Sequence, residues 1–150
     1  MQIARIVVAV TLFALTACTE AGLSKEEFIQ QADAICREAE QRTEEIEPPR
    51  TPEALADFVD EAERITGGLL AELRELEPPQ EGRETIDRLL EQIEAALATL
   101  PELKKAAEDR SPDRIQELGR ELQQAASEAN EIAQGYGLQV CGRTQPAPAS

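Results

Sequence analysis

The chain is 150 residues long and carries 30 acidic against 15 basic side chains, a formal net charge of −15 at neutral pH, with no histidine and no tryptophan. That balance excludes a nucleic-acid binder, whose affinity rests on cationic contacts to phosphate, and a body lying flat on an anionic bilayer, which needs polybasic patches. The missing histidine removes the usual base for an activated Ser, Cys or Thr, and the few aromatics (Tyr136, Phe13, Phe28 and Phe58) predict a mainly aliphatic core.

Residues 1–17 have the layout of an export signal: a short leader with one positive charge at Arg5, an apolar run from Ile6 to Ala14, then small residues. The run is shorter than the roughly 20 apolar residues that span a bilayer. Leu15-Thr16-Ala17-Cys18 resembles the lipobox of bacterial lipoproteins at all four positions. The resemblance implies a diacylglyceryl group on the Cys18 thiol, cleavage before Cys18, and a protein held in the cell envelope by that lipid. It would sit on the outer face of the cytoplasmic membrane, or at the outer membrane of a source that has one. An ordinary cleaved signal and a retained anchor are the alternatives; Leu15 stands where an ordinary signal favours a small residue. Cleavage removes Arg5 alone among the charges, so residues 18–150 carry −16. A chain of that length forms one domain.

Residues 18–23 read as a lipidated tether with too little pattern to fold. Ser24 and Glu27 have the capping-box spacing, so the first helix of the 24–142 domain begins there. Phe28, Ala32, Ile35, Ala39 and Ile46 form its apolar stripe, and Glu47-Pro48-Pro49 ends it. Thr51-Pro52-Glu53 combines an N-cap, a first-turn proline and an acid near the positive helix terminus. A second helix is therefore predicted from Pro52 to Leu76, with Leu55, Phe58, Val59, Ala62, Ile65, Leu69, Leu73 and Leu76 inward. Gly67-Gly68 inside it marks either a bend or, the favoured reading, a close approach of a neighbouring helix.

Glu77-Pro78-Pro79 closes that helix, and a third begins near Glu81 to Glu84 with Ile86, Leu89, Leu90, Ile93, Leu97, Leu100, Leu103 and Ala107 on its apolar side. Pro101 falls within this pattern; the stripe continues in register across it, which predicts a kink more than a break. Ser111-Pro112-Asp113 repeats the start signature, and Ile115, Leu118, Leu122, Ala125, Ala129, Ile132 and Tyr136 make the seam of a fourth helix ended by Gly135 and Gly137. The prediction is an all-α, antiparallel up-down four-helix bundle. Leu138 to Gly142 should lie down on it, with residues 143–150 as a loose tail.

With Cys18 taken by lipid, Cys36 and Cys141 remain for a disulfide in an oxidising compartment. In an up-down bundle the chain after helix four can return about 20 Å to the level of Cys36 on helix one. Two buried free thiols or a redox-active pair are the alternatives, against which stand the absence of C-x-x-C and of histidine. Ala32-Asp33-Ala34-Ile35-Cys36-Arg37 and Tyr136-Gly137-Leu138-Gln139-Val140-Cys141 together resemble small exported helical proteins of actinobacteria. That resemblance implies a disulfide-closed bundle and no particular activity.

Carboxylate pairs such as Glu26-Glu27, Glu38 with Glu40, and Glu44-Glu45 lie beside the apolar stripe and read as solvated helix faces rather than as an acid–base dyad. No Glu-x-x-His or EF-hand pattern offers a metal site. The sequence therefore predicts a non-enzymatic, cofactor-free envelope module whose partners are the membrane, through Cys18, and another protein, with no nucleic acid. A small-molecule or cation binder using the bundle interior near Gly67-Gly68 and Pro101 is the competing expectation.

Overall fold

A computed structural model describes residues 22–143, so the lipobox and the tail beyond Arg143 lie outside the described residues. The architecture is all-α. Four helices follow in order: α1 (Lys25–Glu44), α2 (Pro52–Glu75), α3 (Arg83–Glu108) and α4 (Pro112–Tyr136), with a single 3₁₀ turn, Gln80–Gly82, leading into α3.

The helix ends follow local chemistry. The Ser24 hydroxyl accepts from the Glu27 amide while the Glu27 carboxylate accepts from the Ser24 amide, the reciprocal box expected at the start of α1. The Ser24 hydroxyl also donates to the Glu27 carboxylate at 2.7 Å, and this bond, followed by that of the Ser24 amide, holds the Glu27 carboxyl below its usual range. Thr51 caps α2 by accepting from the Ala54 amide. Ser111, expected to cap α4, makes no side-chain cap bond; Pro112 and Asp113 are left to define that start. Helix α1 ends at Glu44, ahead of the proline pair, where the chain already closes with an Ile46 amide to Thr43 carbonyl bond. At the end of α4, Gly137 adopts φ 111°, a left-handed cap from which its amide reaches the Ala133 and Gln134 carbonyls. Gly135 lies within the helix rather than ending it.

Helix α3 runs through Pro101 as one element. Leu100 and Leu103, on either side of the proline, are both buried in the same core, and this shared packing holds the two halves in one register. Ion pairs fix the sense of α2 against α3. Rising through Glu53, Asp60 and Arg74 on α2, the partners fall through Arg110 just beyond the end of α3, then Lys104 and Glu94 within it, at 2.5, 2.6 and 2.8 Å. The two helices are therefore antiparallel.

The core has two parts. At one end Phe28, Ala32, Leu73, Ile86, Leu89, Ala133, Tyr136 and Leu138 pack together, so the start of α1 meets the end of α2, the start of α3 and the end of α4. At the other end Val59, Leu100, Leu103, Ala106 and Leu118 come from α2, α3 and α4 alone. All the buried residues of α1 lie between Phe28 and Cys36. Beyond Cys36 its sequence offers only Ala39 as an apolar side chain before Ile46, and both are half-exposed. A helix with nothing apolar to bury cannot share the far core. The bundle is therefore four helices wide at one end and three at the other.

Two expectations are corrected by this packing. Among the described residues a Cβ added at Gly67 or Gly68 would meet nothing within 4 Å, so no described helix packs closely against the pair, and α2 continues through it. Leu23, expected in an unstructured tether, packs against the four-helix core, and its amide donates to the Glu77 carbonyl at 3.3 Å.

Candidate functional site

The described feature with the most specific chemistry is the four-helix end, where the chain after α4 is fastened back onto α1. Gly137 turns the chain, Leu138 and Val140 bury their side chains, and Cys141 reaches Cys36 in a disulfide with a Cα separation of 5.2 Å. Three residues before Cys36, and so on nearly the same face of α1, stands Asp33, 7 % exposed. One carboxylate oxygen accepts from the Val140 and Cys141 amides at 2.8 and 3.2 Å, and the other from the Gln139 amide at 2.9 Å. Three successive backbone donors that have left the helix are thus satisfied by a single side chain, which is how a buried carboxylate is made tolerable. The Gln134 side-chain amide donates to the Gly142 carbonyl, and Arg143 pairs with Glu40 at 3.6 Å, extending the strap along α1.

Sequence reasoning brought Cys36 and Cys141 together, and the structure joins them. Cys18 lies outside the described residues. Asp33 was missed, although its signal was present: a lone acid between two alanines, on the apolar face three residues before a cysteine. The carboxylate pairs find surface roles. Glu27 caps α1, Glu38 bridges Arg42 one turn on, and Glu40 holds Arg143. Among the described residues no group of three or more Cys, Asp or Glu side chains is arranged to hold a metal ion.

Beside the strap, Tyr136 completes the core. Its ring meets Phe28 edge-on at 5.8 Å between centroids, and the Lys25 ammonium lies 4.8 Å from its centroid. Its hydroxyl is buried without a hydrogen-bond partner among the described residues. The ring lies flush on Gly82, where an added Cβ would come within 2.8 Å of Cζ and closer still to the hydroxyl. Gly82→Ala should therefore displace a buried aromatic ring and destabilise the fold by roughly 1–3 kcal/mol, the usual range for overpacking. Urea unfolding measures this, and a midpoint equal to wild type would refute the tight contact.

Burial, reinforced by the charge of Glu26, pushes the Tyr136 phenol above its ordinary pKa. This is the only tyrosine and there is no tryptophan, so its ultraviolet phenolate signal is clean. The native chain should form phenolate above the value of about 10 seen for an exposed phenol, and the denatured chain at that value. Because folding raises this pKa, the associated stability is complete below the unfolded value and drains as pH rises through the folded one. Coincident native and denatured titrations would contradict the burial.

Three surface hollows, of about 540, 470 and 570 Å³, lie along α4, between the start of α2 and the end of α3, and between the end of α2 and the start of α3. Gly67, Gly68 and Pro101, expected to line an interior site, line none of these three. No described helix is long and apolar enough to cross a membrane. Comparison with protein-family models, curated proteins and solved structures finds no match to this chain.

Proposed function

We propose that the protein is a lipid-anchored, non-enzymatic module of a bacterial cell envelope, in which acylated Cys18 holds an acidic helical bundle at the membrane for contact with another protein. One observation carries this reading beyond the lipobox resemblance. The chain joins the bundle as early as Gly22 and Leu23, where Leu23 packs into the core and bonds to Glu77. Gly22 follows Cys18 by four positions, a reach of at most about 14 Å. A lipid on Cys18 would keep the four-helix end beside the headgroups, while the high negative charge keeps the body from lying down on them.

The three-helix end, with the Ile46–Thr51 and Asp109–Ser111 connections, would then stand roughly 39 Å away, the length of a 26-residue α3 at 1.5 Å per residue. That end is where a partner arriving from the envelope would first meet the protein. The anchoring is tested by expressing the chain in a bacterial host and fractionating it. Wild type should sediment with membranes and carry a diacylglyceryl mass on Cys18, and Cys18→Ser should move to the soluble exported fraction. An unacylated Cys18 in mature protein, or a Cys18→Ser variant that stays with the membrane, overturns the proposal.

A further inference from the structure

We propose that Asp33 is a positioning residue for oxidative closure of the protein, holding the 138–141 strap in place before the Cys36–Cys141 bond exists. The inference is independent of the lipid anchor, because every residue involved lies within the bundle. Cys36 follows Asp33 by three positions on α1, so both side chains leave the same face of the helix. Asp33 binds the backbone amide of Cys141 itself, together with those of Gln139 and Val140. The hydrogen bonds that fix the Cys141 backbone therefore also fix where its sulfur points, and that place is the Cys36 thiol. Leu138 and Val140 add buried apolar contacts that do not involve sulfur. The strap thus has a complete set of non-covalent fastenings, and the reduced chain brings its two thiols together across 105 residues at high effective concentration.

The chemistry is thiol–disulfide exchange with a disulfide oxidant, for which oxidised glutathione serves as the probe. One protein thiolate attacks a glutathione sulfur, forming a mixed disulfide and releasing the first glutathione thiolate. The other protein thiolate then attacks the protein sulfur of that mixed disulfide and expels the second glutathione. Two electrons pass from the protein thiols to the glutathione disulfide, and the two thiol protons end on the two released glutathiones. Only the second step is intramolecular. Asp33 acts on that step, because it sets the distance between the remaining thiolate and the mixed disulfide.

The test uses the full chain carrying Cys18→Ser, so that two thiols remain, equilibrated in glutathione buffers and quenched with acid for mass spectrometry. Asp33→Asn keeps the size of the side chain but turns an NH₂ toward the Gln139 amide and removes the charge. The effective concentration of the thiol pair should fall at least about tenfold, because a hydrogen bond to a charged group exceeds the ~1.4 kcal/mol that a factor of ten represents. The ring-closing step should slow by a similar factor while the entry of the first glutathione does not. Leu118→Val, in the three-helix core away from the strap, should lower global stability and leave the effective concentration unchanged. If Asp33→Asn leaves ring closure at the wild-type rate, or if Leu118→Val slows it equally, the positioning role is wrong. A further measurement needs no Asp33 variant: in the reduced Cys18→Ser chain the amides of Gln139, Val140 and Cys141 should resist hydrogen exchange. Free exchange there overturns the proposal even if Asp33→Asn does not fold.

Discussion

Cys36→Ser should lower the stability of the bundle by roughly 2–4 kcal/mol and its melting temperature by about 10 °C or more. The bond spans 105 residues, for which the chain-entropy account allows up to about 4.7 kcal/mol. The observed value should fall short of that limit, because Asp33, Leu138 and Val140 keep restraining the strap after the sulfur bridge is lost. The loss should also be uneven. Helix α1 shares the four-helix core and is tied there by the strap, whereas the three-helix core is built without it. Helical circular dichroism should therefore persist in the variant near room temperature, while the amides of α1 exchange faster than those of α3. A melting curve superimposable on wild type would show that the bond contributes nothing to the fold.

Phe28→Ala should cost about 3–5 kcal/mol, the range for removing a fully buried aromatic ring that its surroundings cannot collapse to replace. Phe28 is 1 % exposed and packs among Leu73, Ile86, Leu89, Ala133, Tyr136 and Leu138, so its ring touches the cluster in which all four helices and the strap converge. The edge-on contact with Tyr136 adds a part that area alone does not capture. Phe58→Ala is the matched comparison. Phe58 is only half-buried and belongs to neither buried cluster, so the same deletion should cost about 1 kcal/mol, the centre of the ordinary range. Urea unfolding of both variants checks the pair. Equal losses would mean that the two-part core misdescribes where the stability resides.

These two phenylalanines also mark how far periodicity can be read. Both fall on apolar stripes at helical spacing, and nothing local to either distinguishes the one at the meeting point of four helices from the one on a half-exposed flank. The same holds for the glycines. Gly67-Gly68 looked like a point of close approach and meets nothing, while Gly82, unremarked in the sequence, lies against the Tyr136 ring. A small side chain permits proximity, but only the position of a distant residue makes it happen.

Helix number, order and most boundaries follow from local chemistry: the Ser24–Glu27 box, Thr51-Pro52 and Gly137 act through backbone groups within a few residues, and the two Glu-Pro-Pro motifs lie two to three residues past helices that have already ended. The pairing of Cys36 with Cys141 was legible for a different reason, since the lipobox resemblance assigns Cys18 to a lipid and so leaves one pairing to consider. Asp33 was not legible as a clamp, because its three partners lie 106 to 108 residues away and are backbone amides, which carry no sequence signature. The docking of Leu23 and the withdrawal of α1 from the far core have the same origin. Whether an apolar side chain finds a partner depends on where the other three helices leave space. Sequence alone therefore determined an acidic, all-α chain with a lipobox-like leader and pointed to Cys36 and Cys141 as the pair to join. Tertiary structure alone decided that the pairing is built around a buried carboxylate, at the one end where all four helices meet.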